Sequence, residues 1–226
     1  MNYPYLLFDA DNTLFNFDRA NQEAFHAVCR QFDIPDSDET FALYERCNNE
    51  MWAAFDRGEC TKEFLVVQRF RNFLSAMGLD RDAEDCNALH LHTLSQCAFM
   101  LPYAEEVCRT LARSHKLYLV TNAVASVQRG RLAKSPIVPD ITAAFISEEA
   151  GAAKPSAAYF DYVFARIDGI TRENCLVIGD SISSDIQGAN NYGLPCCWYN
   201  PRHTPRPDGL RIDYEIDDLR ALCDIV

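Results

Sequence analysis

The feature that most constrains this fold is an interruption. An apolar run at residues 5–8 reads as a buried strand. The next run read as a strand is Leu117-Tyr118-Leu119-Val120. Between them, residues 19–99 carry helical periodicity only. Ala20, Ala24, Ala27 and Val28 with Phe25 make one stripe, and Phe41, Tyr44, Met51, Trp52 and Phe55 a second. Phe64, Val67, Phe70, Phe73 and Leu74 make a third, and Leu89, Leu91, Leu94 and Phe99 a fourth. Gly58 and Gly78 punctuate the stretch. Stripes at helical spacing build a core, and this one is long enough to be a domain.

Beyond residue 100, strand and helix signals alternate. Helices are predicted at 104–114, 125–133, 154–166 and 182–192. Strands are predicted at 117–120, 144–146, 175–178 and 195–199, with a last short one at 214–216. A Pro-rich loop spans 201–209. Such alternation implies an α/β fold with a parallel sheet covered by helices on both faces. The expected organisation is a core of residues 1–16 and 100–226, with an all-helical unit of residues 17–99 inserted after the first strand.

The polar residues fall at the ends of the strands, where open α/β sheets collect their chemistry. Strand one runs into Asp9 and Asp11. Side chains two apart on extended backbone point the same way, so both carboxylates face one pocket and repel. A divalent cation or a shared proton relieves that repulsion. A second strand ends in Thr121-Asn122. A third ends in Gly179-Asp180-Ser181, with Asp185 one helical turn on, and Lys154 stands before Pro155 at a helix start. Each piece alone is ordinary turn or cap chemistry. Together along one sheet edge they suit a hard cation and a phosphoryl group. Mg²⁺ takes oxygen ligands, and Lys154 and Thr121 would hold phosphate oxygens.

Composition narrows the partners. The 226 residues carry 21 Lys+Arg against 33 Asp+Glu, a net charge of −12. Nucleic-acid polymers and anionic membranes want a basic face, so neither is expected. The N-terminus has no basic segment ahead of an apolar run, and no run approaches membrane-spanning length. The protein is therefore expected in the cytoplasm with its 10 cysteines reduced. Cys29, Cys47, Cys60, Cys86, Cys97 and Cys108 fall in helical patterns, where a thiol acts as a small hydrophobe. No C-x-x-C pair occurs, and His90 and His92 point to different helix faces, so a zinc site is not expected. Phosphate-loop and dinucleotide fingerprints are absent as well.

With these residues in view, the chain resembles the haloacid dehalogenase superfamily of aspartate-nucleophile phosphotransferases. Asp9-Ala10-Asp11-Asn12-Thr13-Leu14 matches its first motif, Val120-Thr121-Asn122 its second, Lys154-Pro155 its third, and Gly179-Asp180-Ser181-Ile182-Ser183-Ser184-Asp185 its fourth. The resemblance implies a Rossmann-like core with the helical stretch as a substrate-selecting cap. It implies Mg²⁺ held by Asp9, the Asp11 backbone carbonyl and Asp180. Asp9 is then the nucleophile that forms an aspartyl-phosphate, and Asp11 the general acid and base. Thr121, Asn122 and Lys154 would bind phosphate or orient the reacting groups. Asp185 and Ser181 would support from behind.

A narrower resemblance, to the bacterial pyrimidine 5′-nucleotidases, lies in the runs around Phe15-Asn16-Phe17-Asp18, Ile146-Ser147-Glu148-Glu149-Ala150-Gly151 and Cys197-Trp198-Tyr199-Asn200. It implies a phosphoric monoester hydrolase with a small phosphorylated substrate, a nucleotide. Alternatives are a phosphatase for phosphoglycolate or a sugar phosphate, a phosphomutase, and a non-catalytic binding protein on the same scaffold. Dehalogenases lack the second aspartate, so Asp11 weighs against them. Nothing in the sequence chooses between monomer and dimer.

Overall fold

The computed structural model describes residues 3–226. The chain forms two compact units: residues up to Phe17 together with Ala98–Val226, and Asp18–Cys97.

The second unit is helical. Its helices are α1 (Phe17–Phe32, entering from the end of the first unit), α2 (Asp38–Asp56), α3 (Lys62–Met77) and α4 (Ala83–Gln96). Each start after the first is capped by a side chain that accepts from an unpaired backbone amide. Ser37 accepts from Thr40, Thr61 from Phe64, and Asp82 from Glu84 and Asp85. α3 ends at Gly78, whose φ of 66° is easy only for a residue without a Cβ. The stripes meet in a core of Phe25, Val28, Tyr44, Phe70, Phe73 and Leu74. Phe25 and Tyr44 stack at 4.6 Å between ring centroids. Phe64, read as part of the third stripe, is instead 50% exposed. It lies in the first turn of α3, off the face that Phe70 and Phe73 bury.

A buried polar network crosses this core. The Arg69 guanidinium donates to Val66 O, Asn48 Oδ1, Asn87 Oδ1 and His90 Nδ1. On the other side of the ring, His90 Nε2 lies 3.1 Å from both Tyr44 Oη and Asn21 Oδ1. His92 is exposed.

The first unit contains six strands: β1 (Tyr5–Phe8), β2 (Lys116–Thr121), β3 (Ile141–Ile146), β4 (Cys175–Gly179), β5 (Cys196–Tyr199) and β6 (Tyr214–Ile216). They form one sheet in the order β3-β2-β1-β4-β5-β6, every pair parallel. The chain steps outward from β1 to β3, then returns to the other side of β1 and steps outward again. That reversal opens a crevice at the carboxyl ends of β1 and β4.

Alternate strand residues face opposite layers. Leu6, Phe8, Leu117, Leu119, Leu176 and Ile178 pack on one side with α5 (Ala104–Leu111). Leu7, Val120, Cys175, Val177 and Trp198 pack on the other, with Tyr159 and Phe160. The remaining helices are α6 (Ala125–Lys134), α7 (Ser147–Ala150), α8 (Ala157–Phe164), α9 (Gln187–Tyr192) and α10 (Leu222–Ile225).

Several local readings change. β3 starts at Ile141 rather than 144, because its first half is a partly exposed edge of small and polar residues with weak apolar signal. The helix read from Lys154 starts at Ala157, with Ser156 as its cap. A residue before proline is disfavoured in helical backbone. The helix read as 182–192 opens as a π-turn over Ile182–Ile186 before continuing as α9. Cys60 and Cys97 lie outside helices, in the α2–α3 connection and at the end of α4. All the cysteines are free. Among the described residues, no helix is long and apolar enough to cross a membrane.

Candidate active site

The site is built where β1 and β4 end side by side. Asp9 N donates to Ile178 O at 2.8 Å, extending the pairing one residue past the strand. The chain then folds back on itself. Leu14 N and Phe15 N both donate to Ala10 O, at 3.0 and 2.8 Å, and Asn12 N donates to Phe15 O at 2.8 Å. Asn12 adopts φ 57°, a left-handed conformation that Asn tolerates. The fold-back brings Thr13 against Asp180. Its hydroxyl donates to Asp180 Oδ1 at 3.2 Å and accepts from Asp180 N at 3.1 Å. Trp198 Nε1 donates to Asp180 O at 2.9 Å, fixing the same residue from β5.

Lys154 is the hub. The residue is 2% exposed, and its ammonium donates to Asp9 Oδ1 (2.6 Å), Asp185 Oδ1 (2.6 Å) and Val120 O (2.7 Å). All three of its protons are thereby used. Its backbone is held too: Asn122 Nδ2 donates to Lys154 O at 2.8 Å, and Asn122 Oδ1 accepts from Lys154 N at 3.0 Å. Thr121, 1% exposed, ends β2 beside it, and its hydroxyl accepts from Ala123 N at 3.1 Å.

Asp185 is wholly buried. Its second oxygen accepts from Ser181 N at 3.1 Å, so both oxygens are committed. Ser181 in turn caps the following turn by accepting from Ser184 N at 3.3 Å. Asp185 lies directly over the backbone of Gly179, where there is room for no side chain at all.

Asp9, Asp180 and Asp185 each offer a carboxylate oxygen within 4.8 Å of the others. Three carboxylates against one ammonium leave buried negative charge uncompensated. Burial, then repulsion from Asp185, Asp180 and Asp11, drives the Asp9 carboxyl well above the usual range despite Lys154 beside it. Burial followed by Asp185 pushes Asp180 up to about 7. Burial alone would pull Lys154 down, but Asp185 and Asp9 together hold it above the ordinary lysine value. A divalent cation would supply the missing charge, and hard oxygen donors are what Mg²⁺ takes. The residues present therefore fit it. Asp185 has its oxygens taken by Lys154 and Ser181, which leaves Asp9 and Asp180 as the carboxylates better placed to coordinate.

The structure thus gathers Asp9, Lys154, Asp180 and Asp185 into one cluster, with Asn122, Thr121 and Ser181 on its supporting backbone. The Asp11 carboxylate is not in that cluster. It pairs with Arg131, which is fully buried on α6. Sequence reasoning missed Arg131, Thr13 as the partner of Asp180, and Trp198. Arg131 stands in no motif; a lone arginine within a helical stretch carries no signal until the fold places it.

Comparison with known proteins gives the family. The family model of haloacid dehalogenase-like hydrolases matches residues 3–193. The chain is 33% identical to the pyrimidine 5′-nucleotidase PynA of Streptococcus pneumoniae, over 99% of this chain and 95% of that protein. It is 29% identical to the pyrimidine 5′-nucleotidase YjjG of Escherichia coli, over 98% and 97%. Its fold superposes with TM-score 0.95 on the putative HAD-hydrolase YfnB of Bacillus subtilis in a magnesium-bound crystal form that reveals interdomain movement. That match is at 33% identity and covers 100% of this chain and 99% of the other. A match over most of its length, with the motif residues converging at one sheet edge, places this chain in the haloacid dehalogenase-like hydrolase family.

Proposed function

We propose that this hydrolase is a Mg²⁺-dependent phosphatase working through an aspartyl-phosphate on Asp9, and that its substrates are pyrimidine nucleoside 5′-monophosphates. The observation that carries the reading is the buried bridge from Asp9 through Lys154 to Asp185, with Asp180 within 4.8 Å. Such a set of charges serves little purpose in a core, where a buried ion cluster is weak support for stability. It suits a site that would hold a divalent cation and, with that charge added to Lys154, receive a phosphate dianion.

Asp9 attacks phosphorus as the bond to the ester oxygen breaks, and Asp11 delivers a proton to that departing oxygen. Water then attacks the phosphorus of the acyl phosphate, Asp11 takes its proton, and the bond to Asp9 breaks. Lys154 holds Asp9 through Oδ1 and offers positive charge to the phosphoryl oxygens, with Thr121 at the end of the neighbouring strand. Asn122 keeps Lys154 in place through its backbone. Bound at Asp9 and Asp180, Mg²⁺ would reduce the repulsion between carboxylate and phosphate. Choice among phosphate monoesters is assigned to the inserted helical unit, which lies outside the phosphate-handling cluster in the sequence.

The nucleotide assignment is supported by the two pyrimidine 5′-nucleotidases that match along nearly the whole chain. Phosphate release from UMP, dUMP, phosphoglycolate and a sugar phosphate, each with Mg²⁺ and with EDTA, tests it. Preference for the nucleotides and loss of turnover in EDTA are expected. A preference for phosphoglycolate or the sugar would replace the nucleotide reading, and no Mg²⁺-dependent release from any ester would remove the phosphatase.

A further inference from the structure

Arg131 is fully buried near the end of α6. Taking a guanidinium out of water is costly unless a counter-charge and hydrogen bonds meet it. Here the counter-charge is the Asp11 carboxylate, bonded from Nη1 to Oδ1. The same nitrogen lies 3.4 Å from Gln128 Oε1, one turn earlier on the helix. The guanidinium also sits over the rings of Phe15 and Phe17, at 4.7 and 5.9 Å from their centroids. Phe15 forms a β-bridge with Asp11 and another with Met100. The loop that carries Asp11 therefore supplies both the anion and the aromatic surface that seat this one arginine.

The two aspartates of the first strand end thus have separate cations. Lys154 serves Asp9, and Arg131 serves Asp11. The difference in cation fits the difference in task. A lysine is a compact point charge, whereas a guanidinium is a planar fork whose orientation is set by what it stacks on. The Asp11 side chain is 25% exposed and the Arg131 side chain is 0% exposed, so the fixed partner is inside and the acid faces outward.

We propose that Arg131 is the positioning residue of the proton-transfer step: it holds Asp11 through one oxygen, so that the proton leaves from and returns to one fixed place. The inference rests on the reading of Asp11 as general acid and base. Arg131 touches no reacting atom and acts through Asp11 alone.

The test is a double-mutant cycle read on two esters. Arg131→Met, Arg131→Lys, Asp11→Asn and the Asp11→Asn/Arg131→Met pair are assayed on UMP and on p-nitrophenyl phosphate, whose leaving group departs without a proton. For Arg131→Met, kcat on UMP should fall on the order of 10²-fold, the scale of a misplaced catalytic group. In the phosphoryl-transfer step, read as the pre-steady-state burst of leaving group, the loss on the aryl ester should be much smaller, whereas the hydrolysis step that both esters share should slow alike. Arg131→Lys should fall between, and the double variant should be no slower than Asp11→Asn alone, since coupled residues are not additive. Multiplying losses in the double variant, equal losses in the leaving-group burst of both esters, or wild-type kcat in Arg131→Met would each overturn the proposal. If Arg131→Met shows no cooperative melt, the cycle is run with Arg131→Lys and read the same way. A wild-type protein inactive on every ester overturns the phosphatase reading and this inference with it. An active wild type with an unimpaired Asp11→Asn removes the acid assignment. Failure of the cycle alone removes only Arg131.

Discussion

A β-carbon placed at Gly179 would stand 2.2 Å from Oδ2 of Asp185 and 2.6 Å from its Cβ. The glycine ending β4 is thus set by the carboxylate lying across it. Asp185 holds Lys154, and Lys154 holds Asp9. Gly179→Ala should displace Asp185 and pass the shift along that chain of contacts. The expected outcome is a folded protein, destabilised by about 1–3 kcal/mol as in other overpacked cores, with kcat lower on the order of 10²-fold. Thermal melting together with phosphate release measures both. A variant that melts earlier but keeps full turnover would show that Asp185 does not position the lysine.

Metal should be visible in stability before any assay of turnover. Asp9, Asp180 and Asp185 crowd their oxygens within 4.8 Å, and a cation that binds only the folded site stabilises it by mass action. At a hundredfold excess over its Kd, Mg²⁺ should add about 2.7 kcal/mol to unfolding stability, and EDTA should remove the gain. Asp180→Asn keeps the Thr13 contact geometry but gives up a charged ligand, so its Mg²⁺-dependent shift should shrink sharply. An undiminished shift in that variant would place the ion elsewhere.

Much of this site was legible because strand ends are cheap to find. Short apolar runs that stop at Asp9, Thr121 and Asp180 announce parallel strands and, with the sheet order, a shared edge. The pairing of Asp11 with Arg131 was not legible, because Asp11 stands in a motif but Arg131 lies on the inner face of a helix with no motif to name it as the partner. Thr13 and Asp180 both stand in motifs, yet nothing in the sequence pairs them across 167 positions. β3 was half-read for a different reason: its first three residues, Ile141-Thr142-Ala143, carry only a broken apolar signal, and pairing with β2 recruits them. Phe64 shows the opposite failure, an aromatic at helical spacing that the core does not bury.

The helical unit should lose stability in mild acid. Arg69 has only donors, so its bond to His90 Nδ1 requires a lone pair there. The Nε2 proton then faces Asn21 Oδ1 and Tyr44 Oη. Burial first, and the Arg69 charge second, hold this imidazole well below its usual 6.5. The unfolded chain therefore takes up a proton below about pH 6.5 that the folded chain refuses, and stability falls as pH drops. Stability from this group is complete above pH 6.5, and below it the loss approaches about 1.4 kcal/mol per pH unit. Urea unfolding at a series of pH values, compared with His90→Gln, isolates the effect. The stability advantage of the wild type over the variant should shrink toward acid; a constant difference would mean that His90 titrates normally.

Asn122 gives the sharpest test of positioning against binding. It was expected among the phosphate-binding residues, and its carboxamide instead donates to Lys154 O and accepts from Lys154 N. Asn122→Asp keeps the acceptor and sets a carboxylate against the Lys154 carbonyl, so one bond becomes a repulsion. Asn122→Ala removes both bonds at about 1 kcal/mol each. If the residue works by fixing Lys154, both variants should lower kcat through a loosened Lys154–Asp9 contact, Asp more than Ala, with KM for the nucleotide changing less. If it works by gripping phosphate, KM should rise while kcat holds. Steady-state kinetics of the two variants at saturating Mg²⁺ separates the cases, because only the first predicts that Lys154→Met and Asn122→Ala combined are no worse than Lys154→Met alone.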